Sequence, residues 1–390
     1  MARWLLPEGI SDVLPHEARR LESLRRVLLD LYRSYGYELV IPPLAEYVDS
    51  LLTGSGADLD LRTFKLVDQQ SGRMMGLRAD TTPQVARIDA HILNRRGVAR
   101  LCYAGSVLHA RPQHPLATRE PFQVGAELYG HAGLAADAEI LELAVESLRK
   151  AEIDRVRLDL GHTGVVRAIL GADAGAAAAA DEILAALIAK DLPALADAVA
   201  DLDPLAGDAL LALARLHGGC EVIAQARRVL PPLPEIGRAL DDLEQLARRT
   251  GADELSIDLA DLHGYRYHTG VTFAAYAPAL PGAVLRGGRY DDIGRAFGRA
   301  RPATGFSIDL RDLTRGHDDG AQRAILAPYD DDAELAALVR TLRAGGEIVV
   351  RRLAADEAVD GIDFDREITR VGGRWTVVAR HNPASEANHG

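Results

Sequence analysis

From His162 to about Thr250 the chain reads as helix almost without a break, through the alanine run Ala176–Ala180 and leucine-rich pieces around Leu184, Leu210 and Leu240. Strand signals stand on both sides of this block. A sheet buries every second side chain and a helix buries a stripe, so an all-helical block between strand-rich flanks belongs more naturally to an insertion than to the sheet. At 390 residues the chain also exceeds what one hydrophobic core usually serves. The expected organisation is a unit over residues 1–320 with its helical insertion at about 162–250, and a small α/β unit over 321–390 ending in a disordered tail, Asn382 to Gly390.

The flanks can be read in more detail. Leu21, Leu24, Leu28, Leu31, Tyr32 and Tyr35 fall at helical spacing between His16 and Tyr35, with Gly36 as the stop. Strands are predicted at Tyr37–Ile41, Thr63–Val67, Met74–Arg78, Val98–Tyr103, Pro121–Tyr129 and Arg155–Leu160. Thr82 before Pro83 reads as the cap of a helix running to about Arg96, and a further helix covers Asp137–Lys150. Beyond the block, strands are predicted at Glu254–Ala260, Val271–Tyr276, Ala283–Arg286 and Thr304–Leu310. The C-terminal unit should hold Ala324–Ala327, a helix at Asp332–Arg343, Ile348–Arg351 and Trp375–Ala379.

Charge narrows the partners. Acidic residues outnumber basic ones 57 to 45, a net charge of −12, which argues against broad binding to nucleic acid or to an anionic membrane. Two cysteines, Cys102 and Cys220, are too few for a disulfide framework or a cysteine-based zinc site. No apolar run reaches the ~18 residues a membrane span needs. The expectation is a soluble cytoplasmic protein with no metal and no cofactor.

Three stretches could carry chemistry. On a strand, Pro121-Phe-Gln-Val-Gly-Ala-Glu-Leu-Tyr129 puts Phe122, Val124, Ala126 and Leu128 on one face, and Gln123, Gly125 and Glu127 on the other. An amide and a carboxylate then lie about 13 Å apart with a bare glycine between them, room for something small; a half-exposed, water-facing strand fits the pattern equally well. Arg286-Gly-Gly-Arg-Tyr-Asp-Asp292 offers glycines for close approach, with Arg289 as a fork and Tyr290 as a polar tip, though a glycine-rich turn between strands explains it as well. His263-Gly-Tyr-Arg-Tyr-His-Thr-Gly270 clusters phenols and imidazoles at a loop, where such histidines are more often hydrogen-bonded structure than metal ligands. The chain has no HExxH and no convincing nucleophile–base pair. These pieces alone describe an α/β protein that holds a small polar ligand.

Taken together, the stretches resemble the histidyl-tRNA synthetase-like branch of the class II synthetase fold over roughly residues 5–313. The resemblance is carried by Leu6–Pro15, Leu77–Arg87, Tyr103 through Glu127, His263–Gly270, Gly287–Asp291 and Thr304–Asp309. It implies an α+β fold, an antiparallel sheet flanked by helices. The departures concern catalysis. Synthetases neutralise charge at the ATP α-phosphate with fixed arginines, and losing one such contact can slow a reaction by ~10²–10³. In the second signature Leu108 or His109, depending on register, stands at the arginine; in the third, Asp312 does, beside Arg311; in the first histidine-specific motif, His263 does. The C-terminal unit is shorter than the synthetases' anticodon-gripping domain and lacks a basic or aromatic stripe, so tRNA binding is not expected.

What remains is a pocket for histidine. The resemblance implies that Asp80, Gln123 and Glu127 contact the amino group and ring of histidine while Tyr267 and Tyr290 enclose the imidazole, with Arg111, His268 and Arg289 as further wall. Asp80 stands where synthetases carry glutamate and so reaches less far; His268 replaces a tyrosine. A synthetase-like pocket without activation machinery is similar to the regulatory-subunit family of ATP phosphoribosyltransferase. That similarity implies a non-catalytic chain that forms class II-like dimers, activates a short-form catalytic subunit in the first step of histidine biosynthesis, and takes L-histidine as feedback effector. A divergent histidyl-tRNA synthetase that activates histidine with ATP is the alternative, and a scaffold that binds no histidine is a third reading.

Overall fold

The computed structural model describes residues 4–53, 57–112, 117–278, 280, 282–314, 323–359 and 362–380, the first two residues of the second stretch by backbone alone. The chain divides into two compact units, Met1–Arg315 and Gly316–Gly390.

Among the described residues of the first unit, nine strands make one sheet. Its order is Glu38–Leu39, Ala99–Ser106, Phe122–Tyr129, Ala303–Asp309, Ala283–Arg289, Val271–Tyr276, Arg157–His162, Glu254–Asp258 and His217–Gly218. The six strands from Ala99–Ser106 to Arg157–His162 pair antiparallel throughout, and parallel pairs are added at both ends. Glu127 faces Gly305 across one strand pair, and Tyr103 faces Gly125 across another. A Cβ on Gly305 would run into the Glu127 carboxyl, and one on Gly125 into the Tyr103 ring and the Phe306 carbonyl, so both positions need glycine for room.

Helices cover one face. The first, Pro15–Ser34, starts on a proline whose missing N–H would have had no partner there anyway. It ends where Gly36 takes φ of +85° and the amides of Gly36 and Tyr37 bond back to Arg33 and Tyr32. Its Leu24, Leu28 and Tyr32 are buried with Ile140, Leu143 and Leu148 of Leu134–Lys150 against Val124, Ala126 and Leu128. The opposite face keeps its own cluster, which includes Val85, Tyr103, Tyr129 and Tyr290.

The helical block runs from Thr163 to Arg249, and several of its helices are capped by aspartates: Asp173, Asp191 and Asp203 accept N–H groups of Ala176, Ala194 and Leu205. It is not wholly helical. Gly218-Gly219 interrupts it, and His217–Gly218 joins the sheet edge against Glu254–Asp258.

Three local expectations fail for identifiable reasons. Thr82 is not a cap: the helix is Thr82–Arg87, its N-cap position is Thr81, and the Thr82 hydroxyl is engaged elsewhere. That helix then widens into a π-turn, Ile88–Leu93, and stops at left-handed Asn94 instead of running to Arg96. Gly287-Gly288 is not a turn but the middle of the Ala283–Arg289 strand, where a Cβ on Gly287 would strike the Phe273 ring. The short strand Ala45–Tyr47, which pairs with Met74–Leu77 in a separate three-stranded sheet, is an addition to the strands expected from sequence.

In the second unit the sheet order is Val349–Arg351, Arg323–Ala327, Asp363–Val371 and Arg374–Ala379, with the helix Ala333–Ala344. Ile325, Leu335, Val339, Val349 and Ile368 form its core. Asp332 caps the helix by accepting the amides of Glu334 and Leu335. Asp363–Val371 carries little strand signal in the sequence because only Phe364, Ile368 and Val371 interrupt its polar residues. The expected boundary at 320/321 and the tail from Asn382 lie outside the described residues. No helix among the described residues is long and apolar enough to cross a membrane.

Arg289 and Asp137 form a buried pair that joins the nine-stranded sheet to its covering helix, with Nη2–Oδ2 at 2.7 Å and Nε within 3.1 Å of both oxygens. Cutting it with Asp137→Ala leaves a buried guanidinium short of its main partner, and should cost about 3 kcal/mol of unfolding free energy. Urea denaturation of the variant checks this; a loss below about 1 kcal/mol, the level of an exposed pair, would contradict it.

Candidate functional site

A cavity of about 830 Å³ opens on the sheet face away from the covering helices. Its floor is Glu127, 1% exposed. Glu127 Oε1 accepts the hydroxyls of Thr82 at 2.9 Å and Tyr103 at 3.3 Å, and Oε2 accepts the Tyr290 hydroxyl. Burial pushes this carboxyl well above the usual range, against the Thr82 bond, with the Asp80 charge adding to the rise and the Tyr103 bond opposing it. A desolvated carboxyl surrounded by hydroxyls is a strong acceptor for an N–H that arrives without water.

Above it, Asp80 and Gln123 are tied together. Gln123 Nε2 donates to Asp80 Oδ1 at 3.0 Å, and Gln123 Oε1 accepts the Thr81 amide at 2.9 Å. Asp80 Oδ1 also accepts the Thr82 amide at 3.2 Å. This fixes an amide and a carboxylate at the N-terminal end of Thr82–Arg87. Tyr267 stacks on Tyr290 with ring centroids 5.0 Å apart, and the buried Tyr267 hydroxyl has no hydrogen-bond partner among the described residues. His268 stands edge-on to Tyr267 at 5.4 Å, and loss of solvent lowers its pKa to about 4, so the ring is neutral.

Of the eight residues proposed from sequence, Asp80, Gln123, Glu127, Tyr267, His268 and Tyr290 line this one cavity. Arg111 and Arg289 do not. Arg111 is exposed, and Arg289 points to the other side of the sheet, toward Asp137 and the carbonyls of His131 and Gly133. Reading the strand through to Arg289 separates it from Tyr290, since neighbours along a strand face opposite ways. Thr82, Tyr103 and Gly305 are site residues that sequence reasoning missed; Tyr103 could have been found from its place on a strand beside a glycine-bearing one.

The positions that the sequence resemblance sets against synthetase arginines, with His109 as one of two registers, hold other chemistry. His109 is buried and neutral, lowered to about 4 by burial and by the charge of Arg62, whose Nη2 lies 2.8 Å from His109 Nε2. Arg62 lines the cavity from the short helix Ala57–Arg62, and nothing in the sequence points to it. His263 pairs with Asp261 at 2.6 Å. Arg311 is buried outside the cavity, donating to the Glu120 carbonyl and to Ser11, while its neighbour Asp312 lines it. Arg266 and Arg286 also line the cavity, both exposed. The arrangement suits a small molecule that offers N–H donors and a positive charge.

Comparison with known proteins places this geometry. The histidyl-tRNA synthetase family model matches residues 9–313, and the model of the ATP phosphoribosyltransferase subunit HisZ C-terminal domain matches residues 322–378. The chain is 57% identical over 380 residues to the ATP phosphoribosyltransferase regulatory subunit of Ralstonia pickettii strain 12J, covering 97% of this chain and 98% of that one. It is 56% identical over 382 residues to the protein of the same name from Burkholderia cenocepacia strain J2315, covering 97% and 100%. A Bacillus halodurans structure described as an ATP phosphoribosyltransferase regulatory subunit/histidyl-tRNA synthetase superposes with a TM-score of 0.82 at 28% identity, over 93% of this chain and 98% of that one. Histidyl-tRNA synthetase from Nostoc sp. PCC 7120 shares the fold at a TM-score of 0.77 and 17% identity, over 97% of each chain.

The far end of the cavity generates a pH prediction. Asp309 Oδ1 accepts the amides of Phe122 and Arg311, both at 3.0 Å, while burial and the Asp312 charge push its carboxyl from 3.8 up to about 7. A pKa raised by folding means the protonated form is favoured in the folded state. Its contribution is present below about pH 4 and lost as pH rises through about 7. Asp309→Asn keeps the accepting oxygen and removes the charge, so the variant should gain stability relative to the parent between about pH 5 and 8. Thermal midpoints measured across that range test this; parallel curves would refute it.

Proposed function

The chain belongs to the ATP phosphoribosyltransferase regulatory subunit family, and from that membership we propose that it activates a short-form catalytic subunit and reports histidine to it, catalysing nothing itself. The observation that carries the histidine reading is the Glu127 floor under the Tyr267–Tyr290 stack, where the buried Tyr267 hydroxyl lacks a partner among the described residues. An imidazole placed there gives an N–H to Glu127 and an edge to the Tyr267 hydroxyl. The ammonium group meets Asp80 and the oxygen of Gln123. Shortening glutamate to aspartate at position 80 does not strand the carboxylate, because Gln123 and the Thr82 amide hold it.

The same cavity supports the absence of adenylate chemistry. His109, His263 and Asp312 cannot supply the fixed bidentate cations of an ATP-activating site, and Arg311 is engaged with Ser11 and Glu120. Histidine-dependent pyrophosphate exchange is therefore expected to be undetectable, which separates this reading from a divergent synthetase. Self-association as class II-like dimers within a hetero-oligomer, no tRNA partner and a cytoplasmic location complete the proposal. Trp4, Leu5, Leu14 and Ile41, all largely exposed, are apolar groups that an assembly would cover.

Regulation then follows from linkage. Histidine bound here would favour a less active arrangement of the assembly; if it weakens substrate affinity in the catalytic partner, those substrates weaken histidine binding here by the same factor.

The test is to mix the chain with a short-form catalytic subunit from the same organism and follow phosphoribosyl-ATP formation with and without histidine. Activation on mixing, reversed by histidine, is expected. Glu127→Ala should raise the histidine needed for inhibition by about tenfold or more while leaving activation intact, since a buried hydrogen-bond acceptor is lost and the ring N–H is left without a partner. Full histidine sensitivity in that variant would remove Glu127 from the pocket assignment.

A further inference from the structure

The aromatic wall of the cavity stands on the 263–270 segment, whose His263, Tyr265, Tyr267 and His268 all line it. What holds the segment from outside is the helix Thr163–Ala172. Arg167 Nη2 carries two N–H groups and lies 2.8 Å from the Tyr265 carbonyl and 2.8 Å from the His268 carbonyl. The guanidinium also sits over the Tyr265 ring, 4.4 Å from its centroid. One helical turn earlier, Thr163 gives its amide and its hydroxyl to the Gly270 carbonyl at 3.0 and 3.1 Å. Tyr267 lies between the two carbonyls that Arg167 joins, and Arg167 itself is not part of the cavity wall.

The helix that bears Arg167 is the first of the helical block. It buries Val165, Val166, Ile169 and Leu170 in the same core as Leu210, Leu213, Leu240 and Leu243 of the later helices. The block also reaches the cavity directly, through Asp181, Leu184 and Ile188, and Arg266 of the aromatic segment pairs with Asp181 at 2.8 Å. That second tie is between exposed groups and contributes little. Arg167 is exposed as well, and its tie differs only in that a single guanidinium carried by the helix bridges two backbone carbonyls of the segment while stacking on the Tyr265 ring.

We propose that Arg167 is a positioning residue: it sets the Tyr267 wall from outside the cavity and makes the helical block respond to what the cavity holds. This rests on the reading of the cavity as a histidine pocket. Without the arginine the segment keeps its inner turn, in which the Tyr267 and His268 amides bond the Gly264 carbonyl, and its Thr163 bonds to Gly270 and His268, but loses the bridge between the Tyr265 and His268 carbonyls that flank Tyr267. Ligand binding must then order the segment as well as fill the pocket, which weakens affinity without any ligand contact being removed.

The experiment uses the full chain. Arg167→Met keeps the apolar stem over Tyr265 and removes the donors; Arg167→Lys keeps a charge and restores a donor. Histidine affinity by calorimetry should fall about tenfold in Arg167→Met and recover in part in Arg167→Lys, the size expected for losing a charged donor to carbonyls. Hydrogen exchange of the ligand-free protein should quicken at the amides of Tyr267, His268 and Thr269, with helix Leu134–Lys150 unchanged as internal control. Parental affinity and parental exchange in Arg167→Met would overturn the proposal. If the parent chain gives no heat with histidine, the pocket reading falls, and the exchange rates alone decide whether Arg167 holds the segment.

Discussion

A carboxyl buried in the middle of a sheet imposes conditions on everything around it. Glu127 is tolerated because Thr82, Tyr103 and Tyr290 each give it a hydroxyl, and because Gly305 leaves it the space a Cβ would take. Those groups come from a helix start, a neighbouring strand and the end of another strand. Register must be right across Ala99–Ser106, Phe122–Tyr129 and Ala303–Asp309 for all of them to meet, and a slip of one residue would turn Glu127 into the apolar core. The polar site and the sheet are thus one specification, and the glycines at 125 and 305 are as much part of the site as the side chains they admit.

Much of this is visible in the sequence, for a physical reason. The alternation over Phe122–Tyr129 separates core from cavity side because a strand has period two, and Val124, Ala126 and Leu128 are indeed packed under the helices. Asp80, Gln123, Glu127, Tyr267 and Tyr290 are named by a resemblance of motifs, and the fold brings them to one cavity. What stays hidden depends on partners distant in sequence. Thr82 looks like a cap because a threonine before a proline usually is one; here the demand of a buried carboxylate outweighs capping. Arg62 carries no local signal at all, since its place beside His109 is decided by how a short helix docks. Arg289 is misplaced when the strand is ended at Arg286, and the glycines that suggest a turn are there for close packing, Gly287 against Phe273 and Gly305 and Gly288 against Val271 and His268.

The helical block illustrates the same division. Its helical nature is plain from composition, and its caps are local aspartates. Its relation to the cavity is not, because Arg167, Leu184 and Ile188 approach from a chain segment that has no motif of its own. An inserted block that walls the cavity and bonds to its aromatic segment is more than ornament on the fold.

The position of Arg311 has a wider consequence. Anchored to Ser11 and Glu120, it is part of how the amino-terminal segment is fastened, while its neighbour Asp312 lines the cavity. A cavity of this kind, if it takes up an amino acid, can only release it again unchanged. Its occupancy then follows the free concentration of the amino acid, weighted by the state of the partner through linkage, and a gauge built on such a cavity does not drain the pool that it measures.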